Sequence, residues 1–119
     1  MPHRGLVSKE LATLFSVLSH PGRLQIVEEL RNGERDVASL QAHLGLSQPH
    51  TSQLLSVLKA HRLVAERKVG RKVLYHLTQP DLAGWLVMGL AFVAGSGLPS
   101  EELLMAVEAV RQLWSDNGT

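Results

Sequence analysis

One junction in the middle of the chain constrains the fold more than any other feature. Gly45 is placed to end one predicted helix, and Ser47 is placed to cap the next after a single intervening residue. Glycine readily adopts the left-handed conformation that ends a helix, and serine is a favoured N-cap. Pro49 then falls in the first turn, where a missing N–H costs no hydrogen bond. Two helices joined by so tight a turn predict a helix-turn-helix unit.

A predicted β-hairpin follows this pair of helices. Residues 63–68 and 72–77 are rich in β-branched and aromatic side chains, and Gly70 lies in the short connection between them. Such a pattern is typical of two antiparallel strands joined by a tight turn. The predicted fold is mainly α with a small β-hairpin, a winged helix-turn-helix. We expect one domain over residues 1–119, with the helix-turn-helix and wing over 36–77.

Further helices are predicted on both sides of this unit. Residues 8–19 repeat apolar side chains at helical spacing, with Ser8 as the expected N-cap. Residues 80–116 contain two more helices, the first opened by Thr78 or Asp81. That helix is apolar all round and must therefore be buried. In a chain this small, the expected cover is another subunit.

The charge is unevenly distributed along the sequence. Residues 35–77 carry seven basic and two acidic side chains, a net +5, whereas the remainder carries five basic and nine acidic ones, a net −4. A basic segment of this kind favours a surface for a polyanion, although a merely solvated basic surface is the alternative. The chain has no cysteine, which excludes disulfides and thiolate metal sites. We see no signal peptide or membrane span and expect a cytoplasmic, prokaryotic protein.

The helix that begins at Ser47 has a short polar face that is suited to double-stranded DNA. Gln48 or Gln53 could read adenine through paired donor and acceptor groups, and neighbouring hydroxyls could bond base edges or phosphates. The basic residues at the end of this helix and on the wing are candidates for phosphate contacts. A solvated polar face is the alternative. The residues predicted to contact DNA are Ser47, Gln48, His50, Thr51, Ser52, Gln53, Ser56, Lys59, Arg62, Arg67, Lys68, Arg71 and Lys72.

Three segments resemble one known family. LSHPGRLQIVEEL at 18–30, SQPHTSQLLSVLK at 47–59 and GRKVLYHL at 70–77 are similar to the ArsR/SmtB family of bacterial winged-helix repressors. The resemblance covers roughly residues 11–86. It implies a homodimer held by the first and last helices, over 8–19 and 80–116. It also implies an inverted-repeat operator read by the fourth helix, and an effector that changes binding.

The chain departs from the family at its metal sites. Asp36 and Ala38 occupy the positions that match the paired cysteines of the best-known sensor site, so a thiolate site is excluded there. No histidine lies between Asp81 and Thr119, so the second metal site of the family lacks its imidazole ligands. No metal site or cofactor is therefore predicted. The one remaining metal candidate is His3, which could chelate nickel or zinc beside the chain's amino end.

Other interpretations of the sequence stay open. Trp85, Met88 and Phe92 could line a pocket for an apolar effector, or they could pack in a dimer core. A winged-helix module that binds a partner protein is an alternative function, although the polar face of the fourth helix lacks the aromatic anchors of such surfaces. No enzyme activity is predicted, because the sequence contains no phosphate-binding glycine loop and no nucleophile motif.

Overall fold

A computed structural model describes residues 2–94 and 101–116. The chain divides into two compact units, Met1–Thr78 and Gln79–Thr119. The single domain expected over 1–119 therefore stays a prediction. The elements are α1 (Pro2–Leu18), α2 (Pro21–Glu29), a 3-10 turn (Leu30–Asn32), β1 (Arg35–Asp36), α3 (Val37–Leu44), α4 (Gln48–Ala60), β2 (Val64–Val69) and β3 (Lys72–Leu77) in the first unit, and α5 (Asp81–Ala94) and α6 (Glu101–Asp116) in the second.

Capping groups define the helix-turn-helix formed by α3 and α4. The Asp36 carboxylate accepts the backbone N–H of Ser39 at 2.8 Å and begins α3. Gly45 ends α3 in the left-handed conformation, with φ of 67°. The Ser47 hydroxyl oxygen accepts the N–H of His50 at 3.3 Å and begins α4. The tight junction predicted from the sequence is confirmed.

The predicted wing is confirmed as an antiparallel hairpin of β2 and β3. Val69 pairs with Lys72, so only residues 70 and 71 form the turn. Gly70 has φ of 62°, which a residue with a Cβ rarely adopts. Positions that pair directly across the hairpin share one face of the sheet. Successive side chains of one strand point to opposite faces, so Arg67 and Lys68 lie on opposite faces of the hairpin.

A third strand was not predicted. β1 contains two residues and pairs antiparallel with β3, so that the strand order is β1-β3-β2. Its two residues lie opposite Tyr75 and Leu74. A strand this short has no periodicity to detect, and it forms only because β3 offers a free edge.

The core of the first unit lies under α4. Leu54, Leu55 and Leu58 expose 3%, 1% and 0% of their surface, and Ile26 and Val27 of α2 are fully buried. Burying one such side chain contributes about 1.5–3 kcal/mol. These three leucines face inward, which leaves the opposite, polar face of α4 to solvent.

Helices α2 and α4 approach closely at Gly22. A Cβ added there would lie 2.7 Å from Cδ1 of Leu54 and 3.1 Å from Cε1 of His20. Since Leu54 is buried, a larger residue at this position would force repacking of the core. Glycine at this position therefore seats the first turn of α2 directly against α4.

One predicted helix start is wrong, and one of the two alternatives for another is excluded, since α5 begins at Asp81. α1 begins at Pro2 rather than at Ser8. Proline suits a first helical turn, and a serine caps a helix only where the residues before it leave the helical conformation. Thr78 does not cap α5, because its hydroxyl donates to the carbonyl oxygens of Arg62 at 2.7 Å and Leu63 at 3.2 Å. It fastens the end of β3 to the turn after α4 instead.

The second unit exposes much of its apolar surface. Helices α5 and α6 pack together, and Ala83 and Val107 are buried, but Met88 and Phe92 expose 71% and 82% of their surface. The sequence predicts that another subunit covers α5, and in the single chain that face is open. No helix within the described ranges is both long enough and apolar enough to span a bilayer.

Candidate nucleic-acid interface

The outward face of α4 carries amide, imidazole and hydroxyl groups. Gln48, His50, Gln53 and Ser56 are exposed, and Ser52 is half-buried. The side-chain amide of Gln48 donates to the Ser52 hydroxyl at 3.0 Å, which engages one candidate within the helix. Gln53 makes no such bond to any described residue. Of the two glutamines, Gln53 therefore presents its donor and acceptor together to an outside ligand.

One predicted contact residue belongs to the core. Thr51 is fully buried, and its hydroxyl donates to the carbonyl oxygen of Ser47 at 2.9 Å. A side chain without accessible surface cannot reach DNA, so the prediction for Thr51 is wrong. The sequence could not separate it from its polar neighbours, since a threonine that bonds back to its own helix is compatible with burial.

Lys59 is held by a carboxylate of the wing. Its Nζ lies 2.8 Å from Oε1 of Glu66. This contact lowers the pKa of Glu66 and raises the pKa of Lys59. Partial burial raises the pKa of Tyr75, and the interaction of its hydroxyl with Glu66 raises that pKa further. These contacts join the end of α4 to the wing. Lys59 therefore has a partner within the protein, in addition to the contact with a DNA phosphate that the sequence predicts.

Arg67 is engaged more completely. Its Nε and Nη2 donate to the two carboxylate oxygens of Glu34 at 3.0 and 2.6 Å. The pair lowers the pKa of Glu34 and raises the pKa of Arg67. Nδ1 of His76 lies 3.6 Å from the same carboxylate. A two-point arginine–carboxylate contact fixes the orientation of the guanidinium, and here it orients Arg67 toward the protein.

The remaining basic candidates are open to solvent. Lys72 is 73% exposed and lies 3.8 Å from Asp36, a loose ion pair. Lys68 and Arg71 are exposed on the wing, and Arg71 makes no ion pair with any residue in the described ranges. Arg62 follows α4 with φ of 62°, a conformation usually reserved for glycine.

Sequence reasoning missed the residues that neutralise this surface. Glu34 lies one position outside the segment counted as +5, and no spacing rule connects it to Arg67, 33 residues later. Asp36, which caps α3, also lies 3.8 Å from Lys72, and Glu66 lies 2.8 Å from Lys59. The basic surface available to a polyanion is therefore narrower than the count of basic residues indicates, and it centres on the turn of the wing.

The structure describes the residues predicted to bind an effector or a metal, but it does not bring them together in a binding site. Trp85, Met88 and Phe92 lie along α5 with exposed fractions of 41%, 71% and 82%, so in the single chain they form an open face rather than a closed pocket. His3 is exposed in the first turn of α1. Among the described residues, no three side chains of the metal-ligating types come together. These assignments stay predictions.

Comparison with known proteins agrees with the fold. A family model described as "Bacterial regulatory protein, arsR family" matches residues 20–66. The arsenical resistance operon repressor of Staphylococcus xylosus is 42% identical over 74 residues, which span 62% of this chain and 71% of that protein. The crystal structure of Mycobacterium tuberculosis Rv0081 aligns with a TM-score of 0.69 and 33% identity, over 78% of this chain and 97% of that one.

A third relative was solved in solution as a homodimeric winged helix-turn-helix DNA-binding domain, Mb0332 of Mycobacterium bovis. It aligns with a TM-score of 0.67 and 26% identity, over 82% of this chain and 90% of that one. The segment matched by the family model contains α3 and α4, and the structure has the capped junction and the hairpin that the sequence predicts. The chain belongs to the ArsR family of bacterial regulatory proteins, and it is a winged helix-turn-helix DNA-binding transcriptional repressor.

Proposed function

We propose that two copies of this chain bind an inverted-repeat operator, with one α4 helix in each of two successive major grooves. The observation that carries the proposal is the outward face of α4, which is polar, exposed and nearly uncharged while its opposite face is buried. Half-sites read in this way are centred about 34 Å apart on one face of the duplex. A regulator of this kind acts on the chromosome, so we expect it in the cytoplasm.

Exposed apolar side chains support the dimer. Leu6, Val7, Leu11 and Phe15 of α1 are each at least 45% exposed, and α5 exposes Met88 and Phe92. Monomeric proteins rarely leave contiguous apolar surfaces of this kind to solvent. The homodimeric state of the Mycobacterium bovis relative agrees with this assignment. Because the second contact of a dimer with its operator is effectively intramolecular, dimerisation also strengthens binding.

The proposal predicts the mass and the footprint of the protein. At micromolar concentration, light scattering should give twice the 13.0 kDa of one chain. Footprinting on the DNA upstream of its own gene should show a palindromic protected site, because a two-fold symmetric dimer contacts two equivalent half-sites. A protein that stays monomeric and prefers no site over random duplex would contradict both the dimer and the operator.

The ion pairs indicate which basic residues of the wing should contribute most to DNA binding. We expect Arg71→Ala to lower the slope of log Kd against log salt by about 0.9 for each subunit that contacts the operator, since each lost phosphate contact releases one fewer counterion. Arg67→Ala should change the slope little, because Glu34 already engages that guanidinium. The slopes are measured between roughly 50 and 200 mM salt. Equal effects of the two substitutions would refute the ranking.

A further inference from the structure

The hydrogen bond that His20 makes determines which way its imidazole ring points. It lies between α1 and α2, and its Nδ1 accepts the backbone N–H of Gly22 at 2.9 Å, which caps α2. A neutral imidazole that accepts through one ring nitrogen carries its proton on the other. The cap therefore makes Nε2–H of His20 a hydrogen-bond donor and fixes the direction of the ring.

The ring of His20 lies beside the first turn of α4. Its centroid is 6.3 Å from that of His50, and the planes of the two rings cross at 77°, an edge-to-face contact. His50 is exposed and His20 is half-buried. The glycine at position 22 allows this proximity, because a Cβ there would meet both Leu54 and His20. The two rings thus belong to one surface, although His20 precedes α2 and His50 lies in α4.

The distance between the rings can be compared with the dimensions of DNA. In helix-turn-helix complexes, the N-terminal residues of the recognition helix lie in the major groove. That groove is about 12 Å wide, so its wall lies roughly 6 Å from its centre. With His50 in the groove, the ring of His20 lies 6.3 Å away, which is about the distance that separates the centre of the groove from its rim, where the phosphates are.

We infer that His20 is a DNA-binding residue, whose Nε2–H donates to a phosphate oxygen at the rim of the major groove. The inference rests on the proposed position of α4 in that groove. A phosphate contact carries no sequence information, so His20 strengthens binding to every duplex and sets the register of α4. His50, its neighbour, faces the bases.

The decisive substitution is His20→Asn, because asparagine retains a side-chain acceptor for the N-cap bond but lacks the donor at the ring's far edge. We expect an unchanged melting temperature and an operator Kd raised about tenfold for the two contacts of a dimer. Random duplex should lose the same factor, so that the specificity ratio is unchanged. His61→Asn, at the opposite end of α4, is the matched control and should bind as the wild type does.

Neutral methylphosphonates test the contact itself. Placed one at a time along each half-site, they should include one position that weakens wild-type binding but not the binding of His20→Asn. Wild-type affinity in His20→Asn, or a loss confined to the operator, would overturn the inference while leaving the proposed operator binding intact. Failure of the wild type to prefer any duplex would instead refute the proposed function.

Discussion

Replacing Gln53 with alanine should weaken operator binding by roughly 30-fold or more, the largest loss expected for one substitution on the exposed face of α4. A base contact made by two hydrogen bonds contributes about 1–3 kcal/mol, and the dimer makes it twice. Gln53 is exposed and makes no hydrogen bond to a described residue, whereas the amide of Gln48 is engaged by Ser52. Affinity for random duplex should change little, since that binding depends on phosphates.

Two other glutamines make this prediction specific. Gln48→Ala should cost less than Gln53→Ala, and Gln25→Ala, an exposed position on α2, should leave binding unchanged. Titrations of operator and random duplex with each variant give the specificity ratio directly. If Gln48→Ala proved the more damaging change, or if Gln53→Ala weakened both duplexes equally, Gln53 would not be the residue that reads the bases.

Leu58→Ala should lower the free energy of unfolding by about 3 kcal/mol, because it opens a cavity under α4. Leu58 has no exposed surface, and its neighbours Leu54 and Leu55 are nearly as buried. A loss of this size shifts the folding equilibrium more than 100-fold, out of a total stability of typically about 5–15 kcal/mol. Urea denaturation at matched protein concentration should show a lower midpoint with an unchanged m-value.

Val69→Ala provides the comparison for Leu58→Ala. Val69 is an apolar residue of the wing that is already 46% exposed, so its truncation should cost well under 1 kcal/mol. Equal midpoints for the two variants would show that α4 is not packed on the core described above. A large loss for Leu58→Ala alone would confirm that the position of α4 depends on its buried leucines.

The helix-turn-helix could be predicted because its signals are local. The cap at Ser47 and the helix end at Gly45 act within four residues of their own positions, and the structure confirms both of them. The alternation of β2 and β3 is equally local, as is the turn at Gly70. Composition and spacing predicted these elements because each of them depends on residues that are close in the chain.

The start of α1 and the role of Thr78 show where local signals were misleading. Ser8 and Thr78 both have the chemistry of a cap, but a cap also requires that the preceding backbone leave the helix and that the hydroxyl lack a better partner. Neither condition can be determined from residue type. Thr78 bonds instead to Arg62, 16 residues earlier in the chain, which only the folded hairpin brings into reach.

The same division applies to the surface that meets DNA. The sequence alone determined that α4 has a polar face, that the wing is basic and that the chain contains no cysteine. Only the tertiary structure decided that Thr51 is buried, that Glu34 holds Arg67, and that His20 lies beside His50. The contacts among these residues join positions up to 33 apart in the chain. Their energies depend on distance in space, and the periodicity of residue types along the chain does not report that distance.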